Sequence, residues 1–468
     1  ARSAFIHMNA VLLTDFGSTF TKLTAVDVDT CSLLGTAAAF TTAETDIGEG
    51  LSHVLAKLEQ QTGRIPYNRR LACSSAAGGL RMVTVGLVPE LTAEAARLAS
   101  LGAGAKVVRV FSFHLTTEDI QAISSSKPDI LLLTGGIDGG DTACMLHNAH
   151  MLAGCEGRFP ILISGNRSCA HDCQAILNGR ETDICPNVLP KLGQLNIEPV
   201  QKKIREIFLK RIIHGKGLSA ISGLIDGILM PTPSAMLEAM TLLAAGTPTQ
   251  SGQGDLMAID LGGATTDVYS LASGSPTLSS TILKGLPEPF AKRTVEGDIG
   301  MRYSARSVLE AAGPDRLATL SGLAAGRIDE LVSLLADHPD MLPDIPELAA
   351  LDFALACTAV EIAVTRHTGK LEEAWTPQGP LFVQTGKDLT EVRQLVMTGG
   401  AIIHASRSFE IAAHAFYDPA RPYSLRPKSA RISIDRRYIL PAMGLLCQEY
   451  PEAALQIMKK ELEEHGSC

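Results

Sequence analysis

At 468 residues, with 46% hydrophobic and 19% charged residues and one tryptophan, the chain has the composition of an ordinary α/β protein with two or three substantial cores. Its 41 Lys and Arg against 50 Asp and Glu give a formal charge of −9 without a basic tract, which excludes a nucleic-acid arm. No run reaches the roughly 18 consecutive apolar residues of a membrane helix, and the cysteines form no Cys-x-x-Cys pair, so the cytoplasm is the expected compartment and no membrane partner is expected.

Residues 1–7 lack the apolar core of a secretion signal and read as an extension ahead of a start at Met8. Residues 9–28 have strand-like alternation, and 31–42 continue it after a turn at Asp29-Thr30. The first strand runs into Asp15-Phe16-Gly17-Ser18-Thr19, and the next places Lys22 on its polar face. A carboxylate, a glycine, hydroxyls and a point charge are the groups that hold a phosphate and a hydrated cation. Residues 47–61 carry apolar side chains at helical spacing. The small-residue passage 71–82 reads as a tightly packed strand and turn.

Helices at 92–101, with Thr92 as cap, at 117–124 and at 142–152 alternate with buried strands at 107–113, 130–134 and 161–164, as in a parallel sheet. The turn Gly135-Gly136-Ile137-Asp138-Gly139-Gly140-Asp141 sits at the carboxyl end of one such strand, where α/β proteins bind ligands. It reads better as a tight strand-to-helix turn capped by Asp141. Cys169-Ala170-His171-Asp172-Cys173 reads as buried thiols with a surface histidine rather than a metal cluster. Residues 202–213 form a basic amphipathic helix with a solvated charged face. The Gly, Pro and Ser-rich stretch 246–254 is the clearest break in composition and reads as a loop between lobes.

The second half opens on Leu256-Met257-Ala258-Ile259-Asp260-Leu261-Gly262-Gly263-Ala264-Thr265-Thr266-Asp267-Val268-Tyr269, again strand, carboxylate, glycines, hydroxyls, strand. Gly262 and Gly263 are expected at positive φ, opening backbone N–H groups to a phosphate, with hydroxyls from Thr265 and Thr266. A Gly-Gly turn with polar flanks is also an ordinary hairpin, and it is the recurrence of the pattern that favours a phosphate site. Residues 276–282 should pair as a third strand, and 293–302 should lead into a helix beginning near Ile299 and capped by Asp298. Residues 313–368 are mostly helical. A strand at 381–384 precedes a helix capped by Asp388. The strand 396–398 ends in Gly399-Gly400-Ala401, where the backbone can approach a base or ribose. A strand at 430–434 feeds a last packed helix, and the tail reads as an exposed charged helix.

In this order the three glycine-bearing stretches resemble the phosphate-one, phosphate-two and adenosine motifs of the actin, hexokinase and heat-shock chaperone ATPase superfamily. The resemblance implies an α/β, actin-like ATPase fold with two ribonuclease H-like lobes around a nucleotide cleft and inserted subdomains. The first lobe would span 8–246, with an α/β segment at about 68–190, and the second 247–468, with a mostly helical insertion at about 313–380. It implies nucleotide contacts from Asp15, Gly17, Ser18, Thr19, Lys22, Gly262, Gly263, Ala264, Thr265, Gly399, Gly400 and Ala401. It also implies Mg²⁺ held through water by Asp15 and Asp260, and catalytic roles for Asp260 and Thr265. Residues 230–239 and 439–445 look like the two connecting helices, whose small side chains permit close crossing.

Four further stretches, at 74–82, 133–140, 293–298 and 384–389, resemble the glutamate mutase accessory proteins, and the similarity runs from about Asn9 to Tyr450. What that family implies is an ATP-binding reactivating chaperone for an adenosylcobalamin-dependent mutase of the glutamate mutase type, coupling lobe closure on Mg-ATP to cobalamin exchange. One departure stands out. Chaperone ATPases place a carboxylate directly before the proline of the first connecting helix, where this chain has Met230, so hydrolysis is expected to be slow or partner-dependent. The alternatives are a small-molecule kinase of the same superfamily, with Asp138, Asp141 or Asp298 as base, and an actin-like structural ATPase. An iron–sulfur ATPase activator is disfavoured because no close cysteine pair suits a shared cluster.

Overall fold

The computed structural model describes residues 8–17, 20–40, 47–75, 80–215, 225–377 and 379–465. The chain divides into two compact units, the first comprising Ala1–Ala239, Gly285–Pro289 and Leu440–Ile457, and the second Met240–Lys284, Phe290–Ile439 and Met458–Cys468.

In the first unit β1 (Ala10–Phe16), β2 (Phe20–Asp27) and β3 (Ser32–Phe40) form an antiparallel meander, covered by α1 (Ile47–Thr62) through Leu51, Val54 and Leu58. Strand β4 (Arg69–Ser74) runs parallel to β1. The chain then builds a separate sheet from β5 (Arg81–Gly86), β6 (Lys106–Ser112), β7 (Ile130–Leu133), β8 (Ile161–Ile163) and β9 (Thr182–Ile184), all parallel, in the order β6-β5-β7-β8-β9. Helices α2 (Glu94–Gly102), α3 (Thr117–Ser126), α4 (Ala143–Ala153) and α5 (Ala170–Ile176) make the crossovers that parallel pairing requires. The central strands β7 and β8 are buried along their whole length, hence their unbroken apolar sequence. Helix α6 (Glu198–Gly215) precedes β10 (Gly227–Pro231), which pairs parallel with β4 and completes the first sheet as β10-β4-β1-β2-β3. Helix α7 (Thr232–Ala245) follows at once, and the boundary between the units falls inside it.

The second unit repeats the plan. Strands β11 (Leu256–Leu261), β12 (Thr266–Leu271) and, after β13 (Thr281–Lys284), β14 (Ala291–Glu296) form the meander. Helices α8 (Ala305–Ala312), α9 (Pro314–Ser321), α10 (Ala325–Asp337) and α11 (Pro346–His367) follow, then β15 (Lys370–Thr376) and β16 (Gly379–Thr385), which form a small sheet with β13. Strand β17 (Gln394–Thr398) lies parallel to β11; after α12 (Gly400–Ile403) and α13 (Ser408–Ala413), β18 (Arg431–Ile434) lies parallel to β17. The sheet reads β14-β12-β11-β17-β18-β19, its last strand β19 being Glu463–His465. Strand for strand, β3-β2-β1-β4-β10 and β14-β12-β11-β17-β18 are the same ribonuclease H-like order, an antiparallel meander followed by two parallel additions. The α/β, actin-like expectation is met by this duplication.

Two helices close the chain, α14 (Leu440–Leu446) in the first unit and α15 (Pro451–Glu461). Gly444 of α14 meets α7 backbone to backbone: a Cβ there would overlap the Ala235 carbonyl and stand 2.9 Å from the Ala235 Cα. Small side chains are therefore required at this crossing, as expected for connecting helices. Gly444→Ala is expected to cost about 1–3 kcal/mol by forcing the helices apart, read as a lowered denaturant midpoint; an unchanged midpoint would show that the crossing yields freely.

Several expectations are corrected. The third strand of the second meander is β14, not 276–282; Thr281–Lys284 pairs with β16 instead. Strand β14 is hard to read because it buries Lys292 and Arg293, whose charged ends find partners inside: Lys292 Nζ donates to the His367 carbonyl at the end of α11, and Arg293 pairs with Asp267. Strand β6 is an edge strand, with Val110 43% exposed, so its apolar run is only partly covered. Thr92 does not cap a helix start; its hydroxyl accepts the Leu87 and Val88 N–H groups, because the helix begins earlier with a wide turn at Pro89–Ala93.

No helix starts near Ile299: Asp298 pairs with Arg366 at 2.7 Å, and α8 begins only at Ala305. Asp388 caps no helix; its oxygens accept from Thr277 and Thr390 and pin the loop before β17. The last helix is half-buried, with Ala453, Ala454, Leu455, Ile457 and Met458 inside. One helix, Pro346–His367, is by length and composition apolar enough to cross a membrane, contrary to the count of consecutive apolar residues; 67% of its apolar window is buried in the protein, which is the behaviour of a core helix.

Candidate functional site

The two meanders place their first turns in the same register. Asp15 stands opposite Lys22 and Asp260 opposite Asp267, each carboxylate two residues before the glycine that opens the turn. Gly17 N–H donates to Phe20 O and Gly262 N–H to Thr265 O, both at 3.0 Å. A Cβ would lie 2.5 Å from Phe20 O at Gly17 and 2.9 Å from Thr265 O at Gly262. Close backbone approach is thus the reason for glycine here. The expected positive φ is not found at Gly262 or Gly263. Ser18 and Thr19 lie outside the described residues.

Asp15 is 5% exposed at the end of β1. Burial pushes its carboxyl above the usual range, opposed by the Lys22 ammonium and by hydrogen bonds from Thr232 and Cys73. Thr232 Oγ1 donates to Asp15 Oδ1 at 2.5 Å, and the Cys73 thiol donates to the same oxygen at 3.5 Å. Among the described residues nothing donates to Oδ2, which leaves one lone-pair-bearing carboxylate oxygen for a hydrated divalent cation. Lys22, half-buried and directly across the ladder, supplies a positive charge at the same level.

At the second turn Gly263 and Ala264 are exposed and Thr265 partly so. Among the described residues no hydrogen bond occupies the backbone N–H groups of these three. The carbonyls behind them are held: Gly262 O by Met301 N–H, Gly263 O by the N–H groups of Arg302 and Tyr303, and Ala264 O by Ser304 Oγ at 2.7 Å. Arg302 is in turn clamped by both oxygens of Asp352 on α11 at 2.9 and 2.8 Å. The carbonyls of the turn are thereby fixed, and N–H groups without a partner among the described residues suit an anion. Thr266 is corrected: it is buried and its hydroxyl donates to Ile299 O, so it has no proton for a ligand. The position equivalent to Lys22 is filled by Asp267, whose Oδ1 receives Arg293 at 2.6 and 2.8 Å.

The third stretch lies against the second turn. Thr398 stands beside Asp260 in the parallel register, its hydroxyl donating to Asp435. Gly399 has φ +97°, and a Cβ there would overlap Leu261 O and lie 2.6 Å from Asp260 Oδ1. Its carbonyl accepts from Ile402 and Ile403, opening the one-turn helix α12, on which Gly400 is exposed and Ala401 partly buried. Asp260, Gly262, Gly263, Ala264, Thr265, Gly399, Gly400 and Ala401 therefore belong to one corner of the second unit, and Asp15, Gly17 and Lys22 to one corner of the first.

Sequence reasoning missed Thr232, Cys73, Asp352 and Asp435. Thr232 carried a signal, a hydroxyl directly after the Met230-Pro231 pair singled out for its missing carboxylate; the others are fixed by pairings distant in sequence. The 135–141 turn is a capped turn: Asp141 Oδ2 accepts Cys144 N–H, while Asn166 accepts Gly139 N–H and donates to the carbonyls of Gly140 and Asp141. Cys169 and Cys173 are buried and His171 is exposed, and among the described residues no group of three or more His, Cys, Asp or Glu could hold a metal ion.

A family described as MutL protein matches residues 11–462. Protein MutL of Clostridium tetanomorphum is 46% identical over 459 residues, covering 97% of this chain and 99% of that protein. Among solved structures, a nucleotide-free acetone carboxylase aligns with 94% of this chain and 70% of its own at 13% identity and a TM-score of 0.39. The activator of 2-hydroxyisocaproyl-CoA dehydratase from Clostridium difficile with bound ADPNP aligns with 98% of this chain and 99% of its own at 11% identity and a TM-score of 0.31. A ligand-bound xylulose kinase from Lactobacillus acidophilus aligns with 98% of this chain and 93% of its own at 10% identity and a TM-score of 0.37.

Proposed function

Because the chain belongs to the MutL protein family, we propose that it is the ATP-binding accessory protein of an adenosylcobalamin-dependent mutase of the glutamate mutase type, acting in the cytoplasm to exchange inactivated cobalamin. The observation that carries the nucleotide half of this reading is the repeated turn. Twice, at equivalent places in a duplicated sheet, a strand-end carboxylate precedes a glycine whose N–H closes a tight turn. The phosphates of ATP are held by the open N–H groups of Gly263, Ala264 and Thr265 and by Lys22, with Gly17 beside them. Gly399, Gly400 and Ala401 meet the nucleoside. Mg²⁺ is held through water by Asp15 and Asp260, its charge offsetting that of the triphosphate. Oδ2 of Asp15, which accepts from none of the described residues, fits that role.

The chemistry this chain supplies is binding and orientation. Asp260 and Thr265 are the candidates for a catalytic contribution, but the residue before Pro231 is Met230, buried and unable to orient an attacking water. We therefore assign slow hydrolysis to the isolated protein, with acceleration left to the partner. Binding and release of nucleotide shift the protein between two states only by the difference in affinity for each, and that difference is what drives exchange.

The test is co-purification with a mutase of the glutamate mutase type loaded with inactivated cobalamin, followed by measurement of cofactor exchange without nucleotide, with ATP and with a non-hydrolysable analogue. Nucleotide-dependent exchange is expected, together with little ADP from the isolated protein in a single-turnover assay. Absence of exchange, combined with phosphorylation of an added acid or sugar, would support a small-molecule kinase instead.

A further inference from the structure

A buried hydrogen bond joins the first meander to the helix that follows its sheet. Thr232, the first residue of α7, sends its hydroxyl 217 positions back along the chain to Asp15 Oδ1 at 2.5 Å, and both residues are buried. Cys73 of β4, beside Asp15 in the parallel register, reaches the same oxygen. Asp15 is thus held at one oxygen by donors from two elements while Oδ2 accepts from none of the described residues.

The second unit has a related junction. There Thr398 of β17, in the place Cys73 holds on β4, donates to Asp435, and Asp435 accepts the Ile439 N–H just before α14. In each half, the residue beside the turn carboxylate in the parallel strand is hydrogen-bonded toward the start of the helix after the fifth strand, and in the first half Thr232 of that helix reaches the carboxylate itself. Helix α7 then continues past Ala239 into the second unit.

We infer that Thr232 is the positioning residue of the cation site: by fixing Oδ1 of Asp15 it presents Oδ2 to the hydrated cation of the nucleotide, so that α7 is tied directly to whether that cation is bound. The inference rests on the nucleotide reading above and adds to it a residue and a helix. It also accounts for a threonine at this place: an aliphatic side chain of similar shape would leave the buried oxygen without its short donor, and serine would keep the donor. Removing the partner of a direct metal ligand typically costs about 10–100-fold in affinity for the ion, and Thr232, which acts on a carboxylate that reaches the ion through water, belongs at the low end of that range.

The experiment measures the dissociation constant of ATP in Mg²⁺ and in excess EDTA for the wild-type protein and for Thr232→Val, Thr232→Ala and Thr232→Ser, with thermal unfolding of each without ligand. The expected result for Val or Ala is a loss of about tenfold or more in Mg²⁺ with little change in EDTA. Ser should restore the Mg²⁺ affinity to near the wild-type value. If Val does not fold, Ala carries the same reading. Equal losses in Mg²⁺ and EDTA would make Thr232 a merely structural residue, and wild-type affinity in the Val or Ala variant would remove it from the site; either outcome overturns the inference. Failure of the wild-type protein to bind ATP at all would instead overturn the nucleotide reading on which the inference depends.

Discussion

Replacing Gly399 with alanine is expected to abolish most of the affinity for ATP while leaving the protein folded. At φ +97° and ψ 154° the residue occupies backbone space open to glycine and strained for any side chain, and the new methyl would press on Leu261 O and, at 2.6 Å, on Asp260 Oδ1. The strain alone costs about 1–3 kcal/mol, and relief by displacing Asp260 and the end of β11 would spread the damage into the phosphate turn. The strain lowers stability whether or not ATP is bound; the loss of affinity comes from the displaced phosphate turn, and a loss there of about 2–4 kcal/mol of binding free energy is roughly 30- to 700-fold in affinity. Isothermal titration with ATP and Mg²⁺ reads this directly, and a denaturation curve separates it from unfolding. Unchanged affinity would remove the third glycine stretch from the nucleotide site.

The largest loss of stability is expected from Asp267→Ala. Arg293 is 4% exposed and donates twice to Asp267 Oδ1, so truncation removes the carboxylate that neutralises a guanidinium inside the second unit. Breaking a buried pair at one end costs about 3–5 kcal/mol. Replacing both partners with apolar residues of similar volume should recover much of that, because the penalty belongs to the stranded charge rather than to the lost pair. Chemical denaturation of the single and double variants checks both statements. A single variant within 1 kcal/mol or so of wild type would mean that Arg293 finds water or another acceptor.

These two positions also show how far the chain could be read before folding. Gly399 was legible because its signal is local: an apolar strand running into a double glycine. The turns after Asp15 and Asp260 were legible for the same reason, although the glycines serve close approach at Phe20 O and Thr265 O rather than positive φ. The alternation of 130–163 gave the parallel sheet, whose core strands β7 and β8 are apolar throughout.

What escaped was long-range compensation. Strand β14 buries Lys292 and Arg293, which no pattern of apolar residues would select, and it does so because the end of α11 and Asp267 neutralise them. Asp298 and Asp388 read as helix caps, but an ion pair with Arg366 and hydrogen bonds from Thr277 and Thr390 use them otherwise. Thr232 escaped because its partner lies on β1, far away in the chain. The buried state of α15 likewise depends on a surface assembled from elsewhere.

Equilibrium binding of ATP to the wild-type protein, Asp15→Asn and Asp260→Asn, with Mg²⁺ and with EDTA, is the most direct measurement of the proposed Mg²⁺-dependent binding by the two carboxylate-glycine turns. The predicted result is Mg²⁺-enhanced binding by the wild type and loss of that enhancement in each variant. A wild-type protein that does not bind ATP, or variants that keep the full Mg²⁺ enhancement, would contradict it.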